Sequence, residues 1–238
     1  MKIEELYNLP LYWEMTNAEK TALLLLLTNC KPKISIEIGT KQGGSLQLIS
    51  KYSDKVYSLD IDPEVKALEQ QFKNTEVIIG DSKITLPALL KQLDEKNETP
   101  DFIFIDGDHS TEGVRQDICN ALLTRIVKPL TILMHDSFNP DCRKGMLQVD
   151  FSSNKNITLV DIDFIQGIYS PTKFTRAEMW GGFGLIRLDS INPAMEVNVM
   201  ESSKYSYDSV FALSRHKHFS PGSFVERIKS YLFRKLFM

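Results

Sequence analysis

Apolar and polar positions along the chain change period repeatedly, and the changes predict strands alternating with helices. Ile34, Ile36 and Ile38 are β-branched residues in a short apolar run, the pattern of a buried strand. The run holds an acid, Glu37, and then breaks into Gly39-Thr40-Lys41-Gln42-Gly43-Gly44-Ser45. Glycine lets the backbone turn where a Cβ would forbid it and lets a ligand come close. Ser45 is placed to cap a helix carrying Leu46 and Ile49. A second apolar strand, Val56 to Leu59, ends on Asp60. Strand, glycine turn, helix, strand and carboxylate form the unit that binds adenosine-containing cofactors in doubly wound α/β proteins.

The same alternation continues on both sides. Residues 1–15 read as a lead-in, and Thr16-Asn17-Ala18-Glu19 matches a capping box that starts a helix running to about Asn29. Downstream, Asp62-Pro63-Glu64 opens a helix with Val65, Leu68 and Phe72 at helical spacing. A third strand, Val77 to Ile79, runs into Gly80-Asp81-Ser82, and Leu86, Leu89, Leu90 and Leu93 face the next helix inward. Asp81 or Ser82 is placed to cap that helix. The fourth strand, 101–105, runs into Asp106-Gly107-Asp108-His109-Ser110, and the fifth, Thr131 to Met134, into His135-Asp136-Ser137. Between them Val114, Ile118, Leu122 and Ile126 mark a core-facing helix. Residues 138–145 read as a loop holding Arg143 and Lys144, which could draw an anionic acceptor but suit surface charge better. Segments 156–165 and 181–189 read as the closing antiparallel strands, with a polar loop over 166–179 long enough to cover a site.

The fold expected is therefore α/β: a doubly wound, mostly parallel, seven-stranded Rossmann-like sheet with helices on both faces and a helical C-terminal extension. It divides into a helical lead-in (1–32), a cofactor-binding core (33–190) and a basic amphipathic extension (191–238). A chain of 238 residues suits that plan. The net charge of −3 argues against a general nucleic-acid binder. Cys30, Cys119 and Cys142 are few and scattered, which points to reduced thiols and, with no secretory pattern at the start, to the cytoplasm. Apolar residues at helical spacing over 224–238, with Arg and Lys between them, fit a docked helix or a homo-oligomer contact, and less directly a peripheral membrane contact.

The turn after the first strand, E-x-G-x-x-x-G-x-S, carries an acid where a pyrophosphate site would avoid one. A carboxylate there attracts a cationic amino group, and Asp60 can accept both hydroxyls of a ribose. These residues resemble motif I and the following acidic position of the class I S-adenosylmethionine-dependent methyltransferases. FIDGDHSTEGVRQDI and MHDSFNP extend the likeness, over roughly Ile34 to Asp189, to the macrocin O-methyltransferase-like and cephalosporin hydroxylase-like branch. The resemblance implies S-adenosylmethionine as cofactor, bound by Glu37, Gly39, Thr40, Gly43, Ser45, Asp60, Asp81, Ser82 and Asp106, with Asp81 toward the adenine. It implies Mg²⁺ in several members, carried over here to Asp106 and Asp136, although His135 stands where a second acid is common. Methyl transfer to an alcohol needs a base, for which Asp108, His109 and His135 are the candidates. The expected activity is O-methylation of a hydroxyl on a sugar or other polar small molecule. The alternatives are a catalytically silent cofactor-binding module acting through its tail, and a nicotinamide oxidoreductase, which Glu37 in the turn disfavours.

Overall fold

A computed structural model describes residues 3–191 and 197–218. Helices α1 (Ile3–Tyr7) and α2 (Asn17–Cys30) lead into β1 (Ile34–Ile38), α3 (Leu46–Tyr52) and β2 (Lys55–Asp60). Next come β3 (Thr75–Ile79), α4 (Ser82–Glu95), β4 (Phe102–Ile105), α5 (Thr111–Ala121), β5 (Leu130–His135) and α6 (Pro140–Leu147). The remainder holds β6 (Ile157–Ile165), β7 (Ile168–Tyr169), β8 (Met179–Trp180), β9 (Phe183–Leu188), β10 (Val199–Met200), α7 (Lys204–Leu213) and α8 (Arg215–His218).

Eight strands form one sheet in the order β10-β6-β9-β5-β4-β1-β2-β3. Seven of them make the expected mostly parallel sheet, with β9 antiparallel between β5 and β6. The short β10 adds an eighth at the edge, parallel to β6. Ile36, Ile38, Tyr57 and Ile103 pack with the leucines of α4 on one face. The leucines of α2 pack with Leu46, Ile49 and Phe104 on the other. Burying both faces is what makes the central strands read as nearly continuous apolar runs.

Two elements differ from expectation. The segment after Asp62 forms a 3-10 helix (Pro63–Gln70) that buries only Val65 and Leu68, too little packing to hold longer α-helical turns. The loop read over 138–145 is largely α6, because the Asn139 side chain accepts from the amides of Asp141 and Cys142 while Pro140 fits the first turn. Arg143 is consequently neither an acceptor-facing cation nor a surface charge. It is buried, ion-paired to Asp163 at 2.7 Å and to Glu201 at 2.8 Å. Among the described residues no helix is long and apolar enough to cross a membrane. The helix read over 224–238 lies outside the described residues.

Candidate active site

β1 has β2 on one side and β4 on the other, so strand order reverses at its carboxyl end. Such reversals open the crevice in which doubly wound proteins bind ligands. The turns leaving β1 and β4 touch there. Gly39 has φ +88°, and a Cβ on it would lie 2.0 Å from the Asp106 carbonyl oxygen, so no other residue fits.

Glu37 is fully buried beneath this contact. Register pairs it with Ser58 of β2, whose hydroxyl donates to one carboxylate oxygen at 2.6 Å while Ser45 donates to the other at 2.6 Å. Ser45 thus spends its hydroxyl on Glu37 and makes no side-chain cap for α3, contrary to the expected capping role. Thr40 completes the network, its hydroxyl 2.6 Å from that of Ser58. Burial pushes the Glu37 carboxyl up to about 7; the two serines oppose this, and the negative charges of Asp106 and Asp60 add to it. Among the described residues no cationic side chain is ion-paired with it. An acid so placed favours a cation arriving from outside.

Asp60 accepts from the amides of Thr40 at 2.8 Å and Lys41 at 2.9 Å, tying the end of β2 to the glycine turn. Gly43, at φ +78°, closes the turn by donating its amide to the Thr40 carbonyl. Asp81 caps α4, accepting from the Lys83 amide at 2.9 Å through one of its two carboxylate oxygens. Ser82 donates its hydroxyl to the buried Asp117 of α5 at 2.7 Å. Burial pushes the Asp117 carboxyl up to about 6.

The ionisable cluster lies at the ends of β4 and β5. His135 is buried with Nδ1 3.0 Å from Asp106 and Nε2 3.1 Å from Glu19, which reaches over from the first turn of α2. Burial opposes its charge, yet Asp106, Asp136 and Glu19 together hold the imidazole protonated well above the usual range. Burial likewise works against the Asp106 carboxylate, but the two histidines hold it well below its ordinary value. His109 is more open, its Nε2 3.2 Å from Asp136 and 3.5 Å from Asp106. Its hydrogen bond with Asp106 raises it above the ordinary imidazole value. Asp136 has φ +58°, and its other oxygen accepts from the Gly181 amide at 2.5 Å. Burial pushes its carboxyl up. Asp108 is not brought into this cluster; its carboxylate accepts from the Ser110 amide at 2.8 Å and lies 3.8 Å from the Lys83 ammonium.

One oxygen each of Asp106 and Asp136 and a nitrogen of His109 lie within 4.8 Å of one another. Two carboxylates and an imidazole fit a divalent cation, with a softer donor set than the all-oxygen shell Mg²⁺ favours. The sequence reading missed Glu19 and Ser58. The capping box located Glu19 correctly, but nothing local reveals that one of its oxygens serves His135 and the Gly182 amide, at 2.6 Å, while the other closes the box on Thr16. Ser58 follows only from the pairing register of β1 with β2.

Comparison with known proteins agrees with this geometry. Residues 36–137 match the family described as a methyltransferase domain. The chain is 29% identical over 113 residues to the rhamnosyl O-methyltransferase of Mycobacterium tuberculosis (strain ATCC 25618 / H37Rv), a match covering 44% of each protein. It therefore spans less than half the length of that relative. The O-methyltransferase of Bacillus cereus, solved with SAH, superposes with a TM-score of 0.54 at 18% identity, covering 79% of this chain and 90% of that one. TomG of Streptomyces achromogenes, an O-methyltransferase of tomaymycin synthesis solved with SAM, gives 0.54 at 14% identity, covering 79% and 86%. At these identities the likeness to the solved structures is one of fold.

Proposed function

We infer that this chain is a class I S-adenosylmethionine-dependent methyltransferase and that it methylates a hydroxyl on a sugar or other polar small molecule. The observation that carries the choice of oxygen is the His109 imidazole set between Asp106 and Asp136 at the edge of the crevice. An alcohol must shed a proton as it attacks, and this group is the one open enough to take it. The name of the mycobacterial relative supports a sugar hydroxyl.

In this reading Glu37 and the turn of Gly39, Thr40, Gly43 and Ser45 hold the methionine part, whose amino group is cationic. Asp60 binds the ribose. Ile61, 75% exposed beside it, gives the adenine an apolar face, with Asp81 and Ser82 at its rim. Bound S-adenosylmethionine supplies a methyl carbon made electrophilic by the sulfonium. His109 receives the hydroxyl proton, and Asp106 and Asp136 orient the ring and favour its charged form. His135 has carboxylates at both nitrogens, so it fixes Asp106 rather than acting as base. Asp108 is occupied elsewhere. A divalent cation such as Mg²⁺ would be held by Asp106 and Asp136 and would ease loss of the proton from a coordinated hydroxyl.

Calorimetry with S-adenosylhomocysteine tests the cofactor, and transfer of labelled methyl to methyl α-L-rhamnopyranoside, with Mg²⁺ or EDTA, tests the acceptor and the metal. His109→Ala is expected to lower kcat by about a hundredfold while leaving S-adenosylhomocysteine affinity unchanged. Absence of binding heat would remove the cofactor assignment. Full turnover in His109→Ala would remove the base.

A further inference from the structure

We propose that Trp180 is the wall against which the acceptor's ring packs, and that the C-terminal helices set this wall through Arg215 and Glu178. The proposal rests on the methyltransferase reading for its acceptor, but not for the way the indole is held.

Trp180 is half-buried and stands beside the catalytic cluster, its ring edge-on to His109 with centroids 5.6 Å apart. The backbone that follows it and its own indole are both pinned. On the downstream side the Gly181 amide donates to Asp136 and the Gly182 amide to Glu19, the same acids that hold the histidines. On the upstream side the indole N–H donates to Glu178, a buried carboxylate that is ion-paired with Arg215 of α8. The Arg215 amide also donates to the Ala177 carbonyl at 2.9 Å, and the Tyr169 hydroxyl donates to the Leu213 carbonyl at 3.1 Å. α7 is itself fastened to the core: Tyr207 packs with Phe138 and Met179, and the buried Arg143 guanidinium lies 4.3 Å over its ring.

An indole held this firmly has little conformational freedom left to lose when a ligand packs on it. Aromatic rings so fixed make effective binding surfaces for rings that present an apolar C–H face. Its place next to His109 sets the geometry required of the partner: an apolar face toward the indole and a hydroxyl at the ring edge toward the imidazole. A deoxy sugar has that form. The buried Glu178–Arg215 pair explains how residues far along the chain belong to the acceptor side of the site.

The chain has two tryptophans, so in a Trp13→Phe background the emission reports Trp180 alone. Glu178→Gln and Arg215→Met are each expected to red-shift this emission and to raise acrylamide quenching about twofold, as the ring loosens into water. Arg215→Lys, which keeps the charge, is expected to stay near the parent. In methyl transfer to methyl α-L-rhamnopyranoside, Trp180→Ala is expected to raise KM about tenfold with calorimetric affinity for S-adenosylhomocysteine unchanged, and Trp180→Phe to keep most of the parent's KM. Unchanged emission and quenching in both pair-breaking variants overturns the proposal. So does a Trp180→Ala protein whose acceptor KM is unaltered, or whose cofactor affinity falls in step with it. If the unaltered protein binds S-adenosylhomocysteine yet leaves the glycoside unmethylated, it is the sugar reading that has failed. The emission comparison needs no acceptor and still decides whether the C-terminal helices set Trp180.

Discussion

Replacing Glu37 by glutamine separates what this carboxyl costs the protein from what it does for a ligand. Burial lifts it from 4.5 to about 7. At about 1.36 kcal/mol per pH unit, holding it ionised in the folded state costs about 3 kcal/mol relative to the unfolded chain. Because the folded value lies above the unfolded one, the associated stability is full below about pH 4.5 and is lost as the pH rises through about 7. A cationic cofactor reverses that preference, since its charge favours the carboxylate and binding expels the proton. If only the ionised form binds, its share rises from about one-tenth at pH 6 to about nine-tenths at pH 8, so affinity tightens about tenfold across that range. Calorimetry with S-adenosylhomocysteine at pH 6, 7 and 8, in two buffers of different ionisation enthalpy, measures both the affinity and the proton released. His109 and the ligand's own amino group titrate nearby, so the informative quantity is the difference between wild type and Glu37→Gln. Equal pH slopes in the two proteins, or a wild type that neither tightens nor releases a proton, refute the reasoning.

Gly39→Ala forces a Cβ onto the Asp106 carbonyl at a left-handed backbone, and is expected to cost at least about 2 kcal/mol and abolish S-adenosylhomocysteine binding; an unaltered melting temperature contradicts this. Glu19→Ala strips a partner from a buried imidazolium and from the Gly182 amide, for an expected loss of about 3 kcal/mol in urea unfolding at pH 7. Although burial works to raise Glu19, its bonds to His135 and Thr16 hold it below the ordinary value. Its contribution is therefore present above the unfolded pKa and is lost as the pH falls, and the gap between wild type and variant is expected to narrow in acid. Arg143→Met leaves Asp163 buried without its cation, for an expected loss of about 3 kcal/mol or more, part of which Asp163→Asn in the same chain should restore.

Much of the fold was legible because the central strands bury both faces and announce themselves as apolar runs ending in Glu37-Ile38-Gly39, Asp60, Asp106 and His135. The glycine turn was equally plain, since Gly39 and Gly43 take the left-handed backbone conformation that glycine adopts without strain. Less legible was anything decided by partners distant in sequence. Arg143 looks like a loop cation until Asn139 and Pro140 turn its segment into a helix and Asp163 and Glu201 close around it. Asp81 and Asp108 have the right chemistry for a ligand site, yet the sequence does not reveal that one oxygen of each is engaged by a nearby amide, at Lys83 and at Ser110. The roles of the two histidines separate only in three dimensions, where one is enclosed by carboxylates and the other stays partly in water.

The clamp on His135 has a consequence for how the protein is made. Glu19 leaves the ribosome early, long before the strand that begins at Phe183 exists, and must remain hydrated until the far side of the sheet closes over it. The stretch that matches the methyltransferase-domain model, 36–137, contains neither Glu19 nor Gly182, which bond at the buried end of the cluster. A protein trimmed to that segment, or a chain released before the last long strand is laid down, would hold much of the architecture and none of the finished chemistry.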